Sequence, residues 1–198
     1  MHFFITIWLK FFFIFTPFFA LSMFLTLTSG YEPRQQRKLA FQVTTATTGI
    51  CLALLFFGQT LFAIFGITIE AFRVGAGLLL FLTGLALTRA APSPVEPVLD
   101  DDIAVVPLAM PIITGPGTIG TLLVIGAELD SPRLKGVGCL ALLLAILCIG
   151  IILMLAGAIE RRIGRRGLNI LSKLTGLILT VLAAQMVLTG ARDFFMQR

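Results

Sequence analysis

Residues 103–121 read IAVVPLAMPIITGPGTIGT, a charge-free stretch with three prolines and three glycines. At its centre, Gly115-Pro116-Gly117 is flanked by Thr114 and Thr118. Proline lacks the amide hydrogen of a helix and clashes with the carbonyl four residues earlier, and glycine lowers the helix preference further. The stretch therefore predicts a helix that is interrupted near Gly115-Pro116-Gly117. A helix that is only kinked there, and that binds nothing, is the alternative.

The apolar character of this stretch extends over the whole chain of 198 residues, of which 58% are hydrophobic and 13% charged. A soluble domain carries about a quarter charged residues, so a water-soluble fold is excluded. Because about 20 apolar residues cross a bilayer as a helix, we expect six transmembrane helices in a single domain. They correspond to six charge-free stretches: Phe11–Tyr31, Leu39–Ile69, Val74–Thr88, Ile103–Ala127, Gly136–Ile159 and Leu174–Ala191.

A helix that breaks inside the membrane leaves backbone groups without partners. Such groups must be satisfied by protein, by water or by a ligand, so the unwound segment is expected to face a cavity. A half-helix that begins near Gly117 would direct its positive end toward an anionic group such as a carboxylate. We expect a valine at Gly117 to crowd this cavity while the protein stays folded. The candidate binding residues here are Pro111, Thr114, Gly115, Pro116, Gly117 and Thr118.

Two other segments contribute candidate binding residues. Thr16-Pro17 interrupts the first apolar stretch, and Ser22 follows it. Gln185 lies deep in the last apolar stretch, where its amide must find a polar partner. We expect these side chains to reach the same cavity.

The chain also contains an internal repeat. Thr16-Pro17 matches Met110-Pro111, Ser22 matches Pro116, and the run that begins at Gly77 matches the run at Gly176. Three-helix repeats enter the membrane from opposite sides in their two copies, so the repeats are inverted. The expected fold is all-α, with six transmembrane helices in two inverted three-helix repeats (residues 1–91 and 103–198, with a linker at 92–102) and with helices one and four broken.

The composition argues against several classes of function. The chain has one histidine and three cysteines without paired spacing, and the apolar stretches contain no carboxylate. We therefore expect no enzyme, no catalytic residue, no cofactor and no metal. The net charge of +5 lies in the segments that flank the helices, where it meets membrane lipids rather than nucleic acid.

Three motifs show a family resemblance: residues 106–111 with Gly115-Pro116-Gly117, residues 65–69, and residues 173–179 with Gln185. With them the chain resembles the MarC family of bacterial inner-membrane proteins, also described as small neutral amino acid transporters of the SnatA type. That family has Asn-Pro or Asp-Pro in its first helix, often followed by a second proline. Thr16 and Ser22 stand at those positions here.

The resemblance implies passage of a small neutral solute, an amino acid first of all, by alternating access in the bacterial inner membrane. Coupling would use backbone carbonyls or Glu70, because no carboxylate is expected at mid-membrane. A translocase for a lipid or lipid-linked carrier, and a membrane assembly protein that transports nothing, are the alternatives. The expected partners are the solute and membrane lipids. A homo-oligomer is left open.

The distribution of basic residues predicts the orientation. Connections one, three and five carry nine lysines and arginines, and the opposite side carries five, with Lys10 not assigned. Because basic loops stay in the cytoplasm, we expect both termini to be periplasmic. Reporter fusions at each end test this, and a cytoplasmic signal from either terminus would contradict it.

Overall fold

The computed structural model describes residues 2–89, 113–129 and 131–196, and these form helices joined by short connections without any strand. The helices are α1 (His2–Ile14), α2 (Pro17–Leu27), α3 (Pro33–Phe65), α4 (Ile69–Arg89), α5 (Pro116–Glu128), α6 (Pro132–Met154) and α7 (Ala156–Met196).

Five segments of the described chain are long and apolar enough to cross a membrane: Phe4–Leu27, Pro33–Phe57, Ile69–Arg89, Pro132–Met154 and Ala156–Met196. The fourth predicted span, Ile103–Ala127, is represented by α5, which has 13 residues and is too short to cross alone. Residues 103–112 of that span, and the predicted linker at 92–102, lie outside the described residues. The structure therefore agrees with an all-helical membrane protein and describes five spans and a half-helix.

The predicted break in the first span is present between α1 and α2. The Phe15 amide donates to Phe11 O (3.1 Å) and the Thr16 amide to Phe13 O (3.0 Å), after which the helix stops. Thr16 adopts a left-handed conformation (φ 48°, ψ 59°) that is costly for a β-branched residue. Pro17 then begins α2, where its missing amide hydrogen leaves nothing unsatisfied.

The second break lies immediately before α5. Gly115 precedes the helix with extended backbone (φ −73°, ψ 172°), and Pro116 is the first helical residue. Pro116 thus takes the same position in α5 as Pro17 takes in α2. The expected match of Ser22 with Pro116 was wrong, because Ser22 lies inside α2 while Pro116 begins a helix, as Pro17 does. The expected match of Thr16-Pro17 with Met110-Pro111 falls with it, because Pro17 corresponds to Pro116.

Helices α4 and α7 run antiparallel and approach each other through glycines. A methyl group at Gly77 would lie 2.7 Å from Val187 Cγ2, and one at Gly84 would lie 2.8 Å from the carbonyl oxygen of Gly176. Small residues permit such close approach of two membrane helices. Of the other helices, α5 contacts α4 and α3, α2 contacts α7, and α6 contacts α1 and α3.

The connection before the final span, which we expected to be a loop, is helical. The arginine-rich segment that includes Arg161 and Arg166 is helical and belongs to α7, which is interrupted at Gly164 (φ 70°, ψ 164°). Glycine adopts this positive φ without the steric cost that a side chain would add. The basic residues are therefore carried on a short helix before the final span.

The glycine contact between α4 and α7 generates a stability prediction. Gly84→Ala places a methyl group against backbone atoms of α7, which should cost about 1–3 kcal/mol. Gly75→Ala on the same helix is the matched control, because nothing lies within 4 Å of the added methyl group. Thermal unfolding in detergent should show a lower midpoint for Gly84→Ala only. Equal midpoints for the two variants would contradict close packing at Gly84.

Candidate functional site

Two cavities lie inside the helix bundle and share one lining side chain. The larger has a volume of about 290 Å³, and the smaller about 170 Å³. Ile14 at the end of α1 lines both cavities, and Leu80 in the middle of α4 lines the larger one. The two side chains are buried, with 3% and 1% of their surface exposed. Ile14 therefore stands between the two cavities.

The smaller cavity is lined by both helix breaks. Thr16 lines it from the first break, and Gly115, Pro116, Gly117 and Thr118 line it from the second. The amides of Gly117 and Thr118 make no hydrogen bond to another described residue, as is usual in the first turn of a helix. The second break thus contributes two unpaired backbone donors on residues that line this cavity, whereas the Thr16 amide at the first break is paired with Phe13 O.

A hydrogen bond joins the two breaks. The Thr118 hydroxyl donates to the carbonyl oxygen of Ile14 at 3.3 Å. Ile14 ends α1, so its carbonyl is one of those at a helix end that lack an intrahelical partner. Thr118 is 5% exposed. Its hydroxyl therefore serves the structure by satisfying a buried carbonyl at the junction of α1 and α5.

Three of the predicted site residues, Thr114, Pro17 and Ser22, do not line either cavity. The Thr114 hydroxyl is 4.0 Å from Cys51 Sγ and is directed toward α3. Pro17 is buried in the first turn of α2, and Ser22 lies further along that helix. Pro111 lies outside the described residues.

Gly117 is required by packing as well as by the cavity. A methyl group there would lie 2.8 Å from the Cα atom of Leu80. A valine at Gly117 would therefore force α4 and α5 apart, which argues against the expectation that this variant stays folded. Gly117 also has no positive φ, whereas Thr16 does.

The larger cavity combines polar and charged side chains from four helices. Gln185 of α7 lines it and makes no hydrogen bond to another described residue. Lys10 of α1, Arg73 of α4 and Glu128 of α5 line the same space. None of these three residues was predicted from the sequence to bind the solute. Arg73 directly precedes one charge-free stretch and Glu128 directly follows another, at the same face of the bundle. This position at the ends of two predicted spans is the sequence signal by which the two residues could have been found.

Arg73 connects three helices beside this cavity. Its guanidinium pairs with Glu128 of α5 and donates to Asp193 Oδ2 of α7 at 3.1 Å. The Arg73 side chain is 13% exposed, so the pairs are partly shielded from solvent. Because several ion pairs act on one shielded arginine, they should hold α4, α5 and α7 together more firmly than an isolated surface pair would.

These features define a class: a polytopic helical membrane protein with interrupted helices that meet at internal cavities. The model of the MarC family of integral membrane proteins matches residues 1–195. The chain belongs to the MarC family.

Relatives of the chain occur in archaea and in bacteria. A UPF0056 membrane protein of Methanocaldococcus jannaschii is 34% identical, with 97% of each chain covered. A UPF0056 membrane protein of Bacillus subtilis is 31% identical, with 87% of this chain and 86% of the relative covered. One from Escherichia coli is 28% identical, with 87% and 84% covered. These names describe membrane proteins and indicate no enzymatic activity. No solved structure matches the chain.

The bond between the two breaks generates a prediction. Thr118→Val keeps the shape of the side chain and leaves the Ile14 carbonyl without its donor, which should cost about 1–3 kcal/mol of stability. Thr121→Val is the matched control, because the Thr121 hydroxyl donates within its own helix to Gly117 O at 2.8 Å and has only a long contact of 3.9 Å with Met186 Sδ outside it. Denaturation in detergent should show a clear loss for Thr118→Val. A larger loss for Thr121→Val would argue against the interhelical bond.

Proposed function

We propose that this protein transports a small neutral solute, an amino acid first of all, across the bacterial inner membrane by alternating access. The observation that carries the proposal is the pair of cavities that share the side chain of Ile14. An alternating-access transporter needs a vestibule toward each side of the membrane and a barrier between them. Ile14 would form that barrier together with Leu80, which lines the larger cavity and lies against Gly117 of the smaller one.

The positions of the lining residues along α4 support opposite openings. Arg73, near the start of α4, lines the larger cavity, whereas Thr83 and Leu87, near its end, line the smaller one. Leu80 lies between them. Because α4 is long enough to cross the membrane, the two cavities would open toward opposite faces.

Contacts of α4 with α7 support the inverted repeat. Gly77 approaches Ala183 O and Val187 Cγ2, and Gly176 approaches Gly84 O and Thr88 Cγ2. Adding 99 to residues 77, 84 and 88 gives 176, 183 and 187, so each contact has its counterpart in the other half. The same offset relates the helix-starting prolines Pro17 and Pro116, and Pro33 and Pro132. We therefore propose two inverted three-helix repeats (1–91 and 103–198) about an axis in the membrane plane.

The orientation of the protein follows from its basic residues. With both termini periplasmic, the larger cavity, which Lys10 and Arg73 line, would open to the periplasm. The smaller cavity would open to the cytoplasm.

The two helix breaks would contribute to solute recognition in the smaller cavity. Unpaired amides at Gly117 and Thr118 can donate to a carboxylate at the positive end of α5. Thr16 lines the opposite wall of this cavity. The remaining predicted binding residues would act through the backbone of the broken segments. They are Pro17, Ser22, Pro111 and Thr114.

Thiol labelling from each side of the membrane tests the two openings. In a chain with Cys51, Cys139 and Cys148 replaced by alanine, Thr189→Cys and Thr83→Cys report the larger and the smaller cavity. A membrane-impermeant maleimide should label Thr189→Cys from the periplasmic face and Thr83→Cys from the cytoplasmic face. Leu147→Cys, on the outer surface of α6, is the unlabelled control.

Labelling of both cysteines from the same face would refute the proposed openings. Reconstitution in liposomes with glycine, L-alanine and L-serine then tests transport itself. Translocation of labelled phospholipid without uptake of these solutes would favour a lipid translocase. An absence of both activities would favour a membrane assembly protein.

A further inference from the structure

We propose that the larger cavity holds a binding site for a zwitterion, in which Lys10 binds the carboxylate and Glu128 binds the ammonium group. The inference rests on the proposed transport of a small solute and assigns its recognition to charged side chains rather than to the helix breaks alone. The cavity volume of about 290 Å³ lies at the small end of ligand pockets. It suits a solute of a few heavy atoms.

The position of Lys10 and its unpaired charge support this site. It lies inside the first membrane span, Phe4–Leu27, and lines the larger cavity. Lys10 makes no ion pair with another described residue. An ammonium group in a membrane span is costly unless it meets a partner or a polar cavity. Lys10 is also one helical turn, about 6 Å, from Ile14, so its position is close to the proposed barrier.

Glu128 supplies the complementary charge. Its Oε1 atom pairs with Arg73, whereas Oε2 accepts no hydrogen bond from another described residue. The Glu128 side chain is 45% exposed, so this oxygen is available to a ligand. An ammonium group of a bound solute can donate to Oε2 while Arg73 keeps Oε1. Arg73 thus acts as a positioning residue for Glu128.

The remaining charges nearby are already compensated. Asp193 accepts from Arg73 through Oδ2 and pairs with Arg192 through Oδ1 at 3.0 Å. Of the charged side chains that line the cavity, Lys10 therefore has an unused positive charge and Glu128 an unused oxygen. Gln185, whose side-chain amide is unpaired, lines the same cavity. Its amide can donate to the carboxylate of the solute or accept from its ammonium group. A ligand with one positive and one negative group matches this arrangement better than a simple anion or cation does.

Protection of a cysteine from alkylation tests the site directly. Thr189→Cys lines the larger cavity, and L-alanine should slow its reaction with a maleimide. Propionate, which lacks the ammonium group, and ethylamine, which lacks the carboxylate, should each require about 10-fold higher concentration, as expected for loss of a charge-assisted contact. Thr83→Cys, in the smaller cavity, is the positional control.

Variants of the two charged residues separate the two ends of the ligand. Lys10→Gln should raise the L-alanine concentration for half-protection by about 10-fold or more, and Lys10→Arg should restore protection. Lys135→Gln, a lysine at the start of α6 that does not line the cavity, is the matched control. In Glu128→Gln, L-alanine and propionate should protect equally. Asp193→Asn removes the other partner of Arg73 and should keep the preference for L-alanine.

The outcomes distinguish this proposal from the proposed transport. If L-alanine is taken up by liposomes but does not protect Thr189→Cys, the charged cavity is not the binding site and transport stands. If L-alanine protects with the stated charge dependence but is not taken up, the site stands and the transport proposal fails. Equal protection of the wild-type chain and Lys10→Gln would overturn the assignment of Lys10.

Discussion

An interrupted helix inside a membrane span has backbone groups that neither the helix nor the lipid can satisfy, and the architecture around the cavities follows from this constraint. Hydrocarbon provides no hydrogen-bond partners, so the end of α1 must meet protein or a cavity. The Thr118 hydroxyl satisfies the Ile14 carbonyl at 3.3 Å. This bond brings the start of α5 to the end of α1. The unpaired amides of Gly117 and Thr118 are left to the smaller cavity.

Close packing of α4 supports this junction from the other side. Gly117 of α5 allows the backbone of Leu80 to approach, and Gly77 and Gly84 allow α7 to approach α4. Leu80 is therefore held between α5 and α7, where it is 1% exposed and lines the larger cavity. The same glycines that permit tight packing thus position Leu80 between the larger cavity and Gly117, which lines the smaller one. A transporter built on this plan would need α4 to shift against α5 or α7 for the barrier to open.

The charged residues act at one end of this arrangement. Arg73 links α4 to α5 and α7 through Glu128 and Asp193, and these links close the bundle on the side of the larger cavity. In the proposed mechanism, a zwitterion would bind the Oε2 atom of Glu128 while Arg73 keeps Oε1. The Glu128 carboxylate would then contact the ligand and hold α5 to α4 at the same time.

The sequence alone determined the membrane-protein class, the family resemblance and the break at Thr16-Pro17, because apolar length and proline act locally along the chain. Its motif at Gly115-Pro116-Gly117 also marked the residues that line the smaller cavity. Tertiary structure decided which side chains share a space: Thr114 turned toward Cys51, and Thr118 became a partner for Ile14. It also decided that Lys10, Arg73 and Glu128 line one cavity. These residues are far apart along the chain, and only the packing of α1, α4 and α5 brings them together.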